Sequence, residues 1–382
     1  MKRAGNDAAR PLAIAHTESS MGWGGQEIRI LTEAAGMQAR GHAVTLYAAP
    51  GARILEEAPR YHVEARALPI GRKRPRGVLA LARALAERTV DVVNPHSSTD
   101  TWSAALASRL VRRPPALVRT RHISVAVPDN AGTRWLYRRA TTRIVTTGDA
   151  LREQLIRDNG IAPERVDSVP TGIDPARFAP GNRDMARAQC GLPASVPLVG
   201  IIATLRSWKG HRYLIDAMTR LAHTDARLVI VGDGPQREAI EQRVRELALD
   251  DRVVLAGNQS DVAPWLGALD VFALPSTANE GVPQALLQAM FAGVPCVTTD
   301  AGGIPEVGRD QSTAIVVPRE DARALAAGID RLLSDRALGE RLARHARALV
   351  LERYTLDAML DRMEAVFRRA VAERGTGAGT SA

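Results

Sequence analysis

Short apolar runs alternate along this chain with longer amphipathic stretches of helical period. Residues 12–16, 43–48, 91–95, 116–120 and 143–147 read as one series of strands. Residues 197–203, 226–231, 252–255, 270–274, 295–299 and 314–317 form a second series. Strands that are apolar nearly throughout and separated by helices belong to parallel sheets covered on both faces. The fold class is therefore α/β, with two doubly wound parallel sheets. The first helix begins near Gly25 and is ended by Gly41, a residue suited to a helix C-cap.

Between the two series lies Val169-Pro170-Thr171-Gly172-Ile173-Asp174-Pro175, followed by Pro180-Gly181, a stretch with linker composition. It divides the chain into a first domain, residues 11–175, and a second, residues 176–355. After the last strand the pattern is helical over 320–334, 335–354 and 356–373, and the last helix is expected to complete the first domain. Residues 1–10 and 375–382 are small and polar and are expected to be loose. A length of 382 residues, with 45% hydrophobic and 24% charged, suits two folded domains. The only cysteines, Cys190 and Cys296, are too few for a disulfide framework, and a reducing, cytoplasmic setting is expected. The longest apolar run, residues 198–205, falls far short of the ~20 residues that span a bilayer.

Charge changes this picture in one respect. The net charge of +9 is concentrated in residues 1–180, which hold 27 Lys and Arg against 17 Asp and Glu, whereas the rest holds 24 against 25. The clusters are Arg72, Lys73, Arg74 and Arg76; Arg112 and Arg113; and Arg134, Arg138, Arg139 and Arg143, the last interleaved with Trp135 and Tyr137 on an expected helix. Such a face suits an anionic membrane surface or a phosphorylated lipid acceptor, and equally an ordinary solvated surface. Nucleic acid would be drawn to the same charge, but it leaves the loops of the second half without a purpose and is not expected as a partner.

Open parallel sheets bind ligands at the carboxyl ends of their strands. The first such loop, Gly22-Trp23-Gly24-Gly25, opens a helix and lets backbone amides approach an anion, although Glu27 stands where a dinucleotide fingerprint needs its third glycine. In the second half, Arg206 and Lys209 precede a helix and supply cations for a diphosphate. Gly232 and Asp233 form a turn, as do Gly257 and Asn258. Glu280, Gly281, Val282 and Pro283 lead into a helix bearing Gln288, whose free amides can hold sugar or phosphate oxygens. In the first half, His16, His96 and His122 each stand at or just past a strand end.

Arg206, Lys209-Gly210, Val231-Gly232-Asp233-Gly234-Pro235, Glu280-Gly281 with Gln288-Ala289-Met290, and Gly302-Gly303-Ile304-Pro305-Glu306 together resemble the family-4 retaining glycosyltransferases (glycosyl transferases group 1) over nearly the whole chain. The resemblance implies a GT-B fold, two Rossmann-like domains facing across a cleft, and a nucleotide-diphosphate sugar as donor. It gives Lys209 and a neighbouring arginine to the diphosphate, Glu280 to the transferred sugar, and His122 to the face of that sugar; His16 and His96 are assigned to the acceptor side. Gln288 stands where the family usually has a second glutamate, Thr204 where it has its arginine, and Thr171 where it often has asparagine. The implied reaction is front-face transfer, without cofactor or metal, to a lipopolysaccharide, lipid-linked or other envelope glycan acceptor at the cytoplasmic face of the inner membrane. The alternatives are a sugar-nucleotide epimerase of the same fold and a non-catalytic nucleotide-sugar-binding paralogue.

Overall fold

The computed structural model describes residues 10–377. The first series of strands comprises β1 (Ala13–Glu18), β2 (Ala43–Ala48), β3 (Ala65–Ala67), β4 (Val92–Pro95), β5 (Ala116–Arg121), β6 (Arg143–Thr146) and β7 (Val166–Ser168). The second comprises β8 (Leu198–Ile202), β9 (Arg227–Val231), β10 (Val253–Gly257), β11 (Val271–Leu274), β12 (Cys296–Thr298) and β13 (Ile315–Val316). They form a seven-stranded sheet ordered β3-β2-β1-β4-β5-β6-β7 and a six-stranded sheet ordered β10-β9-β8-β11-β12-β13, with every pairing parallel. These are the two Rossmann-like layers of a GT-B fold.

Chain order reverses once in each sheet, between β1 and β4 and between β8 and β11. At such a point the connections leave on opposite faces and open a crevice beyond the strand ends, which is where open α/β sheets hold ligands. The sequence pattern omits β3 and β7. Both are three-residue strands at the edges of the first sheet with partly exposed patterns, so neither carries a continuous apolar run.

The C-terminal helix Leu356–Gly377 returns to the first sheet. Met359, Leu360, Met363, Val366, Phe367 and Ala370, spaced as one helical face, join the core cluster built from β1, β2 and the helix Gly25–Ala39. Where the chain crosses between the sheets its two passes lie side by side: Ile173 N–H donates to Tyr354 O at 2.9 Å and Leu356 N–H to Ile173 O at 2.8 Å. Phe367 is fully buried, so Phe367→Ala is expected to lower stability by about 3–5 kcal/mol in urea denaturation. A loss below ~1 kcal/mol would show that this helix is not part of the first core.

Three readings of the sequence need correction. Arg10 is not loose but pairs with Asp91 at 2.7 Å, and residues 375–377 continue the last helix; residues 1–9 and 378–382 lie outside the described residues. Arg143 starts β6, as the strand reading of 143–147 has it, and so does not belong to the charged helix face: it is buried and paired with Asp167 at 2.8 Å and Glu373 at 2.5 Å. Tyr137 is not an interfacial aromatic, being buried on the π-helical turn Leu136–Ala140. Among the described residues no helix is long and apolar enough to cross a membrane.

Candidate active site

The loops leaving β8 and β11 meet beyond the switch point of the second sheet. After β8 the chain makes a 3-10 turn, Ser207–Lys209, and Gly210 then reverses it into the helix His211–Met218. Gly210 has φ +76°, and a Cβ there would stand 1.9 Å from Pro275 O, so the loop after β8 lies directly against the loop after β11. This approach brings Lys209 Nζ to 2.7 Å from Glu280 Oε1, which also accepts from Ser276 Oγ at 2.6 Å. Glu280 is buried, and Lys209 keeps a partly exposed ammonium beside it. Arg206 is exposed, with its guanidinium 5.7 Å from the Trp208 ring centre. Lys209 and Glu280 are thus in direct contact, while Arg206 stays at the rim.

Glu280 is positioned through its backbone. Its carbonyl accepts from Gly303 N–H at 3.1 Å, and Gly302 packs against the same oxygen. On the other side, Val282 N–H donates to Thr147 O at 3.0 Å across the crevice, and Gly281 lies so close to Thr147 that a Cβ would fall 2.2 Å from its Oγ1. Thr147 Oγ1–H in turn donates to His122 O at 3.2 Å. Glu306 reaches the first sheet's side, where its Oε1 accepts from Ala150 N–H at 3.0 Å. Pro283 starts the helix Gln284–Phe291, and Gln288, one turn along, is buried. Gly24 and Gly25 come from the opposite lobe, and added Cβ atoms would lie 3.1 Å from Thr204 Oγ1 and Gln284 Oε1 respectively. Their lack of side chains keeps the two lobes close. Gly232 (φ +138°) passes under Ala203 O, Asp233 is exposed, Gly257 O accepts from Gly232 N–H at 2.8 Å, and Asn258 is exposed at the end of β10. The Gly232 and Gly257 turns therefore adjoin at the strand ends.

The three histidines of the first sheet form a single chain. His16 Nδ1 lies 3.0 Å from His96 Nε2, and His96 Nδ1 lies 3.0 Å from His122 Nε2. Their rings overlap at centroid distances of 5.3 and 5.2 Å. His16 is fully buried behind His96, so it does not line a surface open to an acceptor, contrary to the sequence expectation; only His122 is partly exposed. Burial, with the nearby positive charge of Arg29, lowers the His16 pKa to about 3. Burial also drives His96 and His122 well below the ordinary histidine value. With all three neutral, one Nδ1–H donor per ring satisfies both links and leaves His16 Nε2, which has no partner among the described residues, as a bare lone pair rather than a buried N–H. In that state His122 carries its proton on Nδ1.

Below pH ~6.5 the unfolded histidines take up protons that the folded ones refuse, so this cluster's contribution to stability is lost as pH falls from ~6.5 toward 3. Glu27 and Glu33, raised by burial to about 7, act in the opposite sense and lose stability as pH rises through 7. His16→Gln should cancel one histidine's share alone. Its stability deficit relative to wild type is expected to shrink by up to about 1.4 kcal/mol per pH unit between pH 6 and 4 in urea melts, and a constant deficit would contradict a neutral His16.

Sequence reasoning missed Asp100. Its carboxylate accepts from Thr17 Oγ1, Ser19 Oγ and the amides of His96 and Ser97 at 2.7–3.3 Å, clamping the ends of β1 and β4 together. Burial and the nearby Glu18 raise its pKa to about 8. The Ser97-x-x-Asp100 capping box was the available signal. A cavity of about 450 Å³ opens beside His122, lined in part by His96, Trp102, Arg119, Arg121 and Tyr137. Another of about 250 Å³, between β1, β2 and Arg88, includes none of the candidate residues. Among the described residues no group of three or more His, Cys, Asp or Glu side chains is arranged to hold a metal ion.

The two lobes match separate family models, "Glycosyltransferase Family 4" over residues 23–177 and "Glycosyl transferases group 1" over residues 196–335. The chain belongs to the family-4 glycosyltransferases. It is 32% identical over 251 residues to D-inositol 3-phosphate glycosyltransferase of Saccharomonospora viridis, covering 61% of this chain and 57% of that protein. It is 30% identical over 175 residues to the lipopolysaccharide core biosynthesis glycosyltransferase LpsE of Rhizobium meliloti, covering 46% of this chain and 51% of that protein. The matched region thus spans about half the length of the curated relatives. Anabaena HepE, solved in complex with UDP and glucose, shares the fold with a TM-score of 0.84 at 20% identity, over 94% of this chain and 99% of that one.

Proposed function

We propose that this protein is a retaining, metal-independent glycosyltransferase that moves a sugar from a nucleotide-diphosphate donor to a glycan or lipid-linked acceptor of the cell envelope. The observation that carries this reading is the Lys209–Glu280 contact, a cation and a buried carboxylate held at 2.7 Å beside the start of the helix Gln284–Phe291. Lys209, with Arg206 swinging in from the rim, stabilises the negative charge that grows on the departing diphosphate, the task Mg²⁺ performs in many phosphate sites. Glu280 orients the transferred sugar, and Gln288 hydrogen-bonds the ribose. His122 faces the sugar from the other lobe as a neutral ring. With the acceptor on the same side as the leaving diphosphate, attack gives retention.

Two relatives support the wider setting: one acts by name on D-inositol 3-phosphate and the other in lipopolysaccharide core biosynthesis. The exposed residues Arg72, Lys73, Arg74, Arg76, Arg112 and Arg113 suit contact with an anionic membrane at the cytoplasmic face. A thermal-shift panel of nucleotide diphosphates and their sugars names the donor, since a ligand at 100 times its Kd stabilises by about 2.7 kcal/mol. Donor turnover with the matching sugar nucleotide is expected to survive EDTA, and anomeric proton NMR of the product is expected to give the donor's configuration. No nucleotide shift in the panel, loss of turnover with EDTA, or an inverted product would each overturn the corresponding part of the reading.

A further inference from the structure

The wall of the cavity beside His122 carries a cation that no carboxylate among the described residues pairs with. Side chains on alternate residues of a strand share a face, so Leu117, Arg119 and Arg121 of β5 point to the side covered by Leu136 and Tyr137. Leu117 enters the apolar core there, and Arg119, two residues on, is 95% buried at the cavity wall. Among the described residues Arg119 makes no ion pair, and the side chain that bonds it is the neutral phenol of Tyr137. Its guanidinium rests 4.5 Å from the Tyr137 ring centre, and its Nε is enclosed without a partner. The carboxyl group that acts on it, Asp100, is already engaged by Thr17, Ser19, His96 and Ser97.

Arg121 is fixed differently. It donates to Tyr137 Oη at 2.9 Å, to Ile123 O at 3.2 Å and to Val125 O at 2.5 Å, so it ties the loop over the cavity mouth to the floor while its own Nε has no partner among the described residues. Tyr137 thus stacks under one arginine and accepts from the other, from a π-helical turn of the kind often found at functional sites. Burying a guanidinium without an anion is unfavourable unless the site's occupant supplies one.

We infer that this cavity is the acceptor's anion site, in which Arg119 and Arg121 hold a phosphoryl or carboxyl group on the molecule that receives the sugar. The inference rests on the glycosyltransferase reading for the word acceptor, but not for the anion. A volume of about 450 Å³ lies within the range of small-molecule pockets, and the planar fork of arginine matches either oxyanion. His122 lines the same cavity, and its carbonyl is bonded to Thr147 against Gly281. An acceptor anchored at Arg119 therefore extends its hydroxyl groups past His122 toward Glu280.

Calorimetric titration of the full chain with glucose 6-phosphate, glucuronate and methyl glucoside tests this. At least one of the charged sugars is expected to bind at least tenfold more tightly than the neutral one, and which of the two binds better separates a phosphoryl from a carboxyl preference. Arg119→Gln is expected to weaken that binding at least tenfold, with circular dichroism reporting the fold. Should that variant not fold, Arg121→Gln and Thr133→Trp, which fills the cavity from its half-exposed rim, are expected to give the same loss. Equal binding of all three sugars, no binding at all, full binding in the variants, or loss in Lys209→Ala but not in Arg119→Gln would overturn the inference. Nucleotide-sugar turnover on the same wild-type preparation separates the two readings. Anion binding without turnover removes the enzyme and keeps the pocket; turnover without anion binding does the reverse.

Discussion

Replacing Lys209 with alanine is expected to lower donor turnover by about 10²–10³-fold, the range seen when one preorganised charge-stabilising donor is removed from an active site. The ammonium meets Glu280 Oε1 at 2.7 Å, and among the described residues no other lysine or arginine is paired with that carboxylate. The same change also removes a hydrogen bond to a buried charge, which contributes about 1.5–3 kcal/mol, and leaves Ser276 as Glu280's remaining side-chain donor. A fall in turnover could therefore be mistaken for a fall in stability. The double variant Lys209→Ala/Glu280→Gln separates them: with both charges gone, stability should recover toward wild type, because the cost lies in the uncompensated carboxylate. Turnover should not recover. Steady-state kinetics beside urea melts give both quantities, and near-wild-type turnover in Lys209→Ala would remove this residue from the reaction.

What the sequence reveals of this site depends on the range of the contacts. The six strands of the second sheet are legible because a parallel strand covered on both faces is apolar nearly throughout, as Leu198–Ile202 is. β3 and β7 are not, since an edge strand as short as Ala65–Ala67 leaves no such run. Lys209 and Glu280 can be picked out because each stands in a loop whose glycines and helix start have a local reason. Their 2.7 Å contact needs Gly210 packed under Pro275, which no local pattern states. His16, His96 and His122 can be read singly as strand-end residues, yet their chain arises only because β1, β4 and β5 are neighbours in the sheet. Arg119 gives no signal at all. A charge inside a strand looks like an exposed edge position, and the aromatic ring that stacks on it comes from a different element.

Gly302 is the position at which one added methyl group should do the most damage to geometry for the least change in chemistry. Its φ of +54° costs an alanine about 1–2 kcal/mol, and the new Cβ would stand 2.2 Å from Glu280 O. Nothing nearby can yield cheaply. Gly303 is hydrogen-bonded to the same carbonyl, and beyond it Gly281 is already pressed against Thr147 of the opposite lobe, with Val282 N–H bonded to Thr147 O. Relieving the clash therefore moves the Glu280 backbone by about 1 Å, a displacement that lowers turnover about 100-fold when it occurs at a reacting centre. Stability should fall by about 2–3 kcal/mol, from strain and overpacking together. Gly302→Asn distinguishes the two causes, because asparagine tolerates the left-handed region while carrying the same Cβ. If displacement of Glu280 is the cause, Gly302→Asn loses turnover as Gly302→Ala does and differs only in stability. If Gly302→Asn keeps wild-type turnover, the contact with Glu280 O does not set the position of that carboxylate.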